Sequence, residues 1–339
     1  MDLTTLPKTE LHMHLDGSIP MELTWQLMTE YRLNPRPTLE ETERLLTMQP
    51  EDETSLLAYL DKFSYPLWIT QFYENIQGAT IAILDRLAAL NVTLAELRYS
   101  PIVHTYAGLT VRQAIRAVLS GMNHARKAHG MRVGLIVIAM RQHGPHIAKI
   151  LARQAIAEGQ RFHRRSGVVG FDIAGAERGN PPGLFREAFL LARHGGLGLT
   201  VHAGEDEGPR SVWEAVDELG ARRIGHGCSA LQDMTLVQRL ARDRILVECC
   251  VTSNYQTGAV PRGARHPIFT FLEHGVPVAI CVDNATVSRT DSVRESALVA
   301  DEVGLDEVIR IHRQAREFSF IAADAPSGSG NPDGEAREP

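Results

Sequence analysis

The sequence predicts an α/β protein: a (β/α)₈ TIM barrel with a helical insertion after the first strand. Two observations support this prediction. Eight short runs of apolar and β-branched residues alternate with longer stretches whose apolar residues recur at helical spacing, which is the pattern of repeated βα units. The chain has 339 residues, and barrels of this type commonly occupy about 250 residues as one domain. We therefore expect a single domain over residues 1–321.

The predicted elements follow one another in a regular order. The eight strands are predicted at residues 10–13, 94–99, 133–140, 168–173, 199–202, 223–225, 245–250 and 278–282. Between them, helical spacing is clearest at residues 110–127, 146–161 and 209–219. Eight strands that alternate with helices in this way favour closure of a parallel sheet into a barrel.

A helical segment at roughly residues 20–78 separates the first two strands. Its prominent apolar side chains are Leu57, Tyr59, Leu60, Phe63, Tyr65 and Leu67. They have two interpretations: packing against the barrel, or an apolar lid over a site, since exclusion of water favours hydrolytic chemistry. Both can hold at once.

The last segment, residues 322–339, differs in composition from the rest of the chain. Its residues are mostly small, polar or helix-breaking. Such a segment cannot bury enough apolar area to offset the entropy lost on ordering. We therefore expect it to be a disordered tail.

Charge and composition limit the classes of partner. The net charge is −6, which is unlike the basic surface of a nucleic-acid-binding protein. No apolar run approaches the roughly 18 residues of a membrane span. The four cysteines, two of them the neighbours Cys249 and Cys250, are too few for a disulfide framework, and the first residues lack the basic and apolar regions of a signal peptide. We expect a cytoplasmic protein with no nucleic-acid partner and no membrane partner, in which Cys249 and Cys250 are buried as small apolar residues.

Four short motifs at the ends of predicted strands carry the chemically active side chains. They are His-Met-His at 12–14, His-Ala-Gly-Glu at 202–205, Gly-His-Gly at 225–227 and Val-Asp-Asn at 282–284. Barrel enzymes place their chemistry at the carboxyl ends of the strands. Each motif alone is uninformative, but four at one end of a barrel predict an active site.

The residue types in these motifs predict a catalytic zinc site. Residues two apart in a strand point to the same side, so His12 and His14 present both imidazoles to one point. His202 completes a three-histidine set and Asp283 adds a carboxylate. Imidazole nitrogens and a carboxylate are typical ligands of a catalytic zinc ion that keeps one position open for water. Zinc lowers the pKa of bound water to about 7, so one zinc ion per chain would supply hydroxide at neutral pH.

Proton transfer requires further groups. Asp283 and His226 are both candidates for the base that takes the proton of the water, and the residues alone do not choose between them. Glu205, on the turn after His202, can act as a general acid if its carboxyl group stays protonated. The alternative role for Glu205 is structural, at the start of the helix that Pro209 opens.

These motifs and their surroundings resemble those of the adenosine deaminase family of the amidohydrolase superfamily. The matching segments are residues 6–18 (LPKTELHMHLDGS), 97–101 (LRYSP), 170–177 (GFDIAGAE), 201–205 (VHAGE), 223–227 (RIGHG), 252–258 (TSNYQTG), and 266–267 (HP) before 271–275 (FLEHG). The resemblance covers about residues 6–320, and the order of the motifs is kept.

The resemblance implies a reaction and a role for each residue. His12, His14, His202 and Asp283 would bind zinc in such a family member. Hydroxide would add to C6 of the purine while Glu205 donates a proton to N1, His226 would orient or deprotonate the attacking water, and ammonia would leave. The implied activity is hydrolytic deamination of adenosine and 2′-deoxyadenosine to inosine and 2′-deoxyinosine.

The resemblance also implies contacts to a small-molecule purine nucleoside. His14 and Asp16 would contact the substrate, with Asp16 binding the 5′ hydroxyl of the ribose, and the backbone N–H of Gly175 would bind purine N3. Gly225, before His226, resembles the adenosine-specific branch, since adenine-specific relatives tend to carry Asp there.

One position departs from the family pattern. The family usually has two aspartates followed by Pro, whereas this chain has Asp283-Asn284-Ala285. The second residue of the pair normally contacts purine N7, which is an acceptor, and Asn284 can donate to it without being protonated. We expect Asn284 to bind the substrate and turnover to survive.

Two alternatives remain open at the level of sequence. The substrate could be another 6-aminopurine compound, such as adenine, an N6-methylated AMP or an aminofutalosine-type intermediate. The chain could also be a weakly active homologue that binds nucleosides. A binuclear phosphotriesterase-like enzyme is disfavoured because the third and fourth predicted strands contain no bridging lysine, and a cytidine-deaminase-type site because its paired-cysteine signature is missing. The sequence gives no oligomeric state.

Overall fold

The computed structural model describes residues 2–52, 54–159 and 167–321. Eight parallel strands form one sheet in which each strand pairs with the next along the chain. They are β1 Lys8–His14, β2 Val92–Tyr99, β3 Arg132–Met140, β4 Val168–Ala174, β5 Gly198–Ala203, β6 Arg223–His226, β7 Leu246–Cys249 and β8 Val278–Ile280. The predicted tail at 322–339 lies outside the described residues.

The first strand also pairs with the segment that follows the last strand. Met13 and Asp283 form a parallel bridge, in which the backbone N–H of His14 donates to the Asp283 carbonyl at 2.7 Å and that of Asp283 donates to the His12 carbonyl at 2.8 Å. This pairing closes the sheet into a barrel. It also brings Asp283 beside the two histidines of β1.

Within the described ranges, fourteen α-helices accompany the strands. They are α1 Met21–Tyr31, α2 Leu39–Leu46, α3 Leu56–Leu60, α4 Ser64–Ile69, α5 Tyr73–Ala89, α6 Val111–His129, α7 Gly144–Gly159, α8 Arg186–His194, α9 Pro209–Asp217, α10 Met234–Arg242, α11 Val251–Gln256, α12 Pro267–Glu273, α13 Ser292–Val303 and α14 Leu305–Glu317. No described helix is both long enough and apolar enough to cross a bilayer.

Local sequence signals explain where the longest helix, α6, begins and ends. The side chain of Thr110 accepts the backbone N–H of Gln113, and the side chain of Gln113 accepts the N–H of Thr110, which forms a reciprocal capping box. The helix stops at Gly130, whose φ of 67° is a left-handed conformation that suits glycine. The cations Arg126 and Lys127 lie in its last turn, where the helix dipole favours positive charge.

The interior of the barrel is filled in layers below the site. At the bottom, the ring of Phe320 lies 3.8 Å from the guanidinium carbon of Arg223. Above it, Arg223 pairs with Glu96 and Glu248, each at 2.7 Å, and all three side chains are buried. The middle of the barrel is thus occupied by paired charged side chains.

The predicted fold class is confirmed, and every predicted strand overlaps the observed one with ends within two residues. The predicted helix at 146–161 corresponds to α7, and its last two residues lie outside the described ranges. The predicted end of the insertion at residue 78 was wrong, because α5 runs through Gly78 to Ala89. A Cβ atom at Gly78 would meet nothing within 4 Å, so the glycine interrupts no packing and the helix continues.

Candidate active site

A cavity of about 290 Å³ opens at the carboxyl ends of the strands. Every predicted site residue except His12 lines this cavity: His14, Asp16, Gly175, His202, Glu205, His226, Asp283 and Asn284. His12 is fully buried, beside the other histidines. The structure therefore brings all nine predicted residues together.

Three imidazoles converge on one point at the base of the cavity. The Nε2 atom of His14 lies 3.3 Å from Nε2 of His12 and 3.1 Å from Nε2 of His202. The Oδ1 atom of Asp283 lies 3.3 Å from Nε2 of His14 and 3.6 Å from Nε2 of His12. These four atoms are the predicted metal ligands.

Carboxylates lie behind two of these imidazoles. The Nδ1 atom of His12 lies 2.8 Å from Oε2 of Glu248, and Nδ1 of His202 lies 2.9 Å from Oδ2 of Asp172. A carboxylate favours a proton on the nitrogen that faces it, so Nε2 of each histidine keeps its lone pair toward the common point. The buried Arg98 donates to both carboxylates at 2.9 Å and holds them in place.

The donor set fits a zinc-type ion. Burial lowers the pKa of His12, His14 and His202 well below the usual range of imidazole, so these rings are neutral and can ligate. Three neutral imidazole nitrogens and one carboxylate oxygen, with carboxylates behind two of the rings, are the composition expected of a catalytic zinc centre with an open position.

Asp283 is held by its neighbours on both carboxylate oxygens. Ser253 donates to Oδ2 at 2.5 Å, and the amide nitrogen of Asn284 donates to Oδ1 at 2.7 Å. Its φ of 67° is rare for a residue other than glycine, and its backbone N–H and carbonyl are both paired with β1. Burial raises the pKa of Asp283 to about 6.

The side chains of Glu205 and His226 lie next to each other on the wall of the cavity. Oε2 of Glu205 lies 3.6 Å from Nε2 of His226. Burial, followed by the negative charge of Glu177, raises the pKa of Glu205 to about 8. A carboxyl group that keeps its proton at neutral pH can act as a general acid.

The segment that carries Glu205 is fixed by Glu177, a buried residue after β4. One oxygen of Glu177 accepts the backbone N–H of Gly204 at 2.8 Å. The other oxygen accepts the N–H groups of Glu205, Asp206 and Glu207 at 2.9 to 3.1 Å. Four successive N–H groups that point at one anion form an anion-binding nest.

Asp16, Gly175 and Asn284 lie on the cavity wall where the substrate contacts are expected. Asp16 Oδ1 is buried with no hydrogen-bond partner among the described residues, and burial raises its pKa to about 6. Gly175 has a φ of 93°, and a Cβ atom there would come within 2.6 Å of Gln142 Oε1. A side chain at Gly175 would therefore be strained and would also crowd the cavity.

The insertion covers the cavity from above. Tyr59, Leu60, Phe63 and Leu67 line it, and the hydroxyl of Tyr59 is anchored to Ser288 Oγ at 2.6 Å. The other two predicted lid residues behave differently: Tyr65 packs with the α1, α2 and α4 side chains, and Leu57 is 69% exposed. Both interpretations of the insertion thus apply, each to a different part of it.

Several supporting residues received no role from the sequence. Arg98, Asp172 and Glu177 lie within the family-like segments, and Glu248 interrupts the apolar run at 245–250. The sequence did contain a signal for these residues: a charged residue inside a buried strand needs a buried partner, which indicates a supporting role.

Comparisons with known proteins identify the family of this chain. The family model described as adenosine deaminase matches residues 7–328. The adenosine deaminase of Clostridium kluyveri is 35% identical over 327 residues, which cover 94% of this chain and 91% of that relative. The chain spans 40% of the length of another relative, a probable adenosine deaminase of Dictyostelium discoideum, with 34% identity.

Two solved structures are similar over nearly their full lengths. The adenine deaminase of Arthrobacter aurescens has a TM-score of 0.85 at 26% identity, with 94% of this chain and 95% of that chain covered. The Arabidopsis N6-mAMP deaminase has a TM-score of 0.81 at 26% identity, with 95% of each chain covered. With the family model matching almost the whole chain, this protein belongs to the adenosine deaminase family, and its reaction class is hydrolytic deamination.

Proposed function

We propose that this protein converts adenosine and 2′-deoxyadenosine to inosine and 2′-deoxyinosine, with one zinc ion per chain. One observation carries the proposal: the carboxyl group of Glu205 lies 3.6 Å from His226, in the same cavity that His14 and His202 line. A hydrolytic deaminase needs a metal site, a proton donor and a group that orients water within reach of one carbon atom.

The metal would be held by His12, His14, His202 and Asp283. Their four donor atoms lie close together, and carboxylates hold two of the imidazoles in the ligating form. When bound, zinc supplies a water molecule whose pKa is lowered to about 7. The residues of the chain must supply the remaining proton chemistry.

Glu205 is the proposed proton donor to purine N1. Its raised pKa keeps the carboxyl group protonated at neutral pH, and protonation of N1 withdraws electrons from C6, where water adds. His226, opposite Glu205, is the proposed partner of the attacking oxygen. The apolar lid residues Tyr59 and Phe63 exclude bulk water from the reacting atoms.

Three observations favour a nucleoside as substrate. The relative from Clostridium kluyveri, at 35% identity, is named an adenosine deaminase. Asp16 offers an unpartnered carboxylate oxygen, which suits a ribose hydroxyl and disfavours a phosphate. A Cβ atom at Gly225 would come within 3.0 Å of the His12 ring, so the Asp typical of adenine-specific relatives would crowd a proposed metal ligand.

The substrate assignment is tested with four compounds. The zinc-loaded protein is mixed with adenosine, 2′-deoxyadenosine, adenine and N6-methyl-AMP, and the ultraviolet change from 6-amino to 6-oxo purine is followed. We expect turnover of the two nucleosides. If adenine or N6-methyl-AMP is turned over faster than the nucleosides, that compound replaces adenosine as the assigned substrate. If none of the four compounds is turned over although one zinc is bound per chain, the result favours a nucleoside-binding role.

A pair of variants tests the chemistry. Glu205→Gln should lower kcat by about 10² to 10⁴, the usual contribution of a general acid. Glu207→Gln is the matched control, because Glu207 lies on the same turn but is exposed and does not line the cavity. Equal activity of the two variants would contradict the role of Glu205.

A further inference from the structure

A chain of hydrogen bonds lies behind His226, on the opposite side of the ring from the cavity. The Nδ1 atom of His226 lies 2.9 Å from Nδ2 of Asn254, and Oδ1 of Asn254 lies 3.1 Å from Nε2 of His266. The backbone N–H of Ile268 donates to Nδ1 of His266 at 3.1 Å. We call His226, Asn254 and His266 the relay. All three side chains are buried.

The backbone N–H of Ile268 fixes the direction of every bond in the relay. A backbone N–H only donates, so Nδ1 of His266 must be the acceptor. Burial lowers the pKa of His266 to about 3, so the ring is neutral and its single N–H is on Nε2. That N–H requires the oxygen of the Asn254 amide to face His266. The NH₂ group of Asn254 therefore faces His226.

The proton of His226 is therefore expected on the opposite ring nitrogen from that of two neighbouring histidines. His12 and His202 have carboxylate oxygens 2.8 and 2.9 Å from Nδ1, which favour a proton on Nδ1 and a lone pair on Nε2. His226 has an N–H donor behind Nδ1, so Nδ1 must accept and the proton of the neutral ring is on Nε2.

We propose that Asn254 and His266 are positioning residues that hold neutral His226 with its proton on Nε2, so that His226 presents an N–H group to the cavity. This inference rests on the proposed function and sharpens it. In the substrate-free enzyme, His226 is set to donate a hydrogen bond to the attacking oxygen and to orient it.

The same tautomer separates His226 from the metal ligands. His226, His12 and Asp283 have potential ligand atoms within 4.8 Å of one another, so distance alone would admit His226 to the ligand set. An Nε2 atom that carries a proton has no lone pair to give to a metal. The relay therefore gives a chemical reason to leave His226 out of the proposed ligand set of His12, His14 and His202.

The tautomer is measured directly by NMR on protein with ¹⁵N-labelled histidine imidazoles, loaded with zinc and free of substrate. The His226 signals are identified by their loss in His226→Gln. We expect the proton on Nε2. A proton on Nδ1 would overturn the proposal. Because no substrate is present, this result does not depend on which purine, if any, the enzyme turns over.

Asn254→Asp tests the relay itself. An ionised carboxylate only accepts hydrogen bonds, so it should draw the proton to Nδ1 of His226 while keeping the bond from His266. We expect the NMR signals to switch and kcat to fall by about 10² or more with a smaller change in KM, since the wrong tautomer of a catalytic histidine can cost up to about 10⁴. Retention of the Nε2 proton, or kcat within about threefold of the wild type, would contradict the relay.

Tyr255→Phe is the matched control. Tyr255 lies next to Asn254 on α11, and its ring lies 5.8 Å from that of His266, but its hydroxyl donates to Ala264 outside the relay. We expect this variant to keep the tautomer and kcat of the wild type. If Asn254→Asp does not fold, the spectrum of the wild-type protein still decides between the two tautomers.

Discussion

Glu177 accepts the backbone N–H of Glu205 at 3.1 Å, together with the N–H groups on either side of it. The side chain of Glu205 points into the cavity while its backbone is held from behind. Two carboxyl groups with different tasks thus lie near each other. Glu177 fixes the turn, and its charge contributes to the raised pKa of Glu205.

Glu177→Gln should act through Glu205. An amide can offer only one acceptor oxygen to the four N–H groups, so the turn should shift and kcat should fall by about 10-fold to 100-fold. In the Glu205→Gln background the same change should have little further effect, because residues that act as a unit are not additive. Equal losses in both backgrounds would show that Glu177 acts independently of Glu205.

The rate should fall on the alkaline side of neutrality. The pKa of Glu205 is raised to about 8 from an ordinary value of 4.5, and the protonated form is the donor. Activity should therefore be retained below pH 8 and decline as the pH rises through it. The kcat/KM profile for adenosine measures this directly. An unchanged rate up to pH 10 would contradict the assignment of Glu205 as the acid.

Asn284→Ala should weaken binding through purine N7. The amide nitrogen of Asn284 donates to Asp283 with one hydrogen, which leaves its second hydrogen for a substrate acceptor. We expect the KM for adenosine to rise by about tenfold, the usual cost of one buried hydrogen bond. The inhibition constant of 7-deazaadenosine, which lacks N7, should not change. If the KM for adenosine and the inhibition constant of 7-deazaadenosine rise by the same factor, Asn284 does not act through purine N7.

Glu248→Gln should weaken metal binding. Glu248 accepts from His12 and from Arg98 at 2.8 and 2.9 Å, and loss of such an outer partner typically lowers metal affinity by about 10-fold to 100-fold. Competition with a fluorescent zinc chelator gives the affinity without any need for turnover. Asp233→Ala is the control, since Asp233 caps α10 away from the site. Unchanged affinity in Glu248→Gln would contradict this role.

Acid should destabilise the protein partly through His312. Burial, followed by the charge of Lys8, lowers its pKa to about 4 from an ordinary value of 6.5. The unfolded chain therefore binds a proton that the folded chain does not, so stability is present above pH 6.5 and is lost as the pH falls towards 4. Urea unfolding of the metal-free protein between pH 7.5 and 5 measures this effect. As the pH falls, the free energy of unfolding should decrease less in His312→Gln than in the wild type. An equal decrease in the free energy of unfolding of both proteins would contradict the prediction.

The pattern of the sequence predicted the barrel and the histidines because both depend on local spacing. His12 and His14 are two residues apart in a strand, and a period of two already places them on one side. The groups behind them could not be found in this way. Glu248 lies 236 residues from His12 in the chain, and local spacing carries no information about which strands face each other across a barrel.

The relay illustrates the same limit. Asn254 and His266 lie in segments that the sequence matched to the family, yet spacing alone does not reveal that they contact each other or His226. Their hydrogen bonds depend on how α11 and the start of α12 pack behind β6. Predicting a proton on one nitrogen requires the direction of each donor, which depends on the three-dimensional arrangement of these segments.

The bridge between Met13 and Asp283 makes the site a product of the first strand and of the segment that follows the last strand. During synthesis, His12 and His14 emerge hundreds of residues before Asp283, so a nascent chain cannot complete the proposed metal site until the barrel can close. A bound metal would then stabilise the pairing between β1 and the segment after β8, since a ligand that binds only the native state stabilises it. Removal of the metal should increase amide hydrogen exchange first in β1 and in the residues after β8.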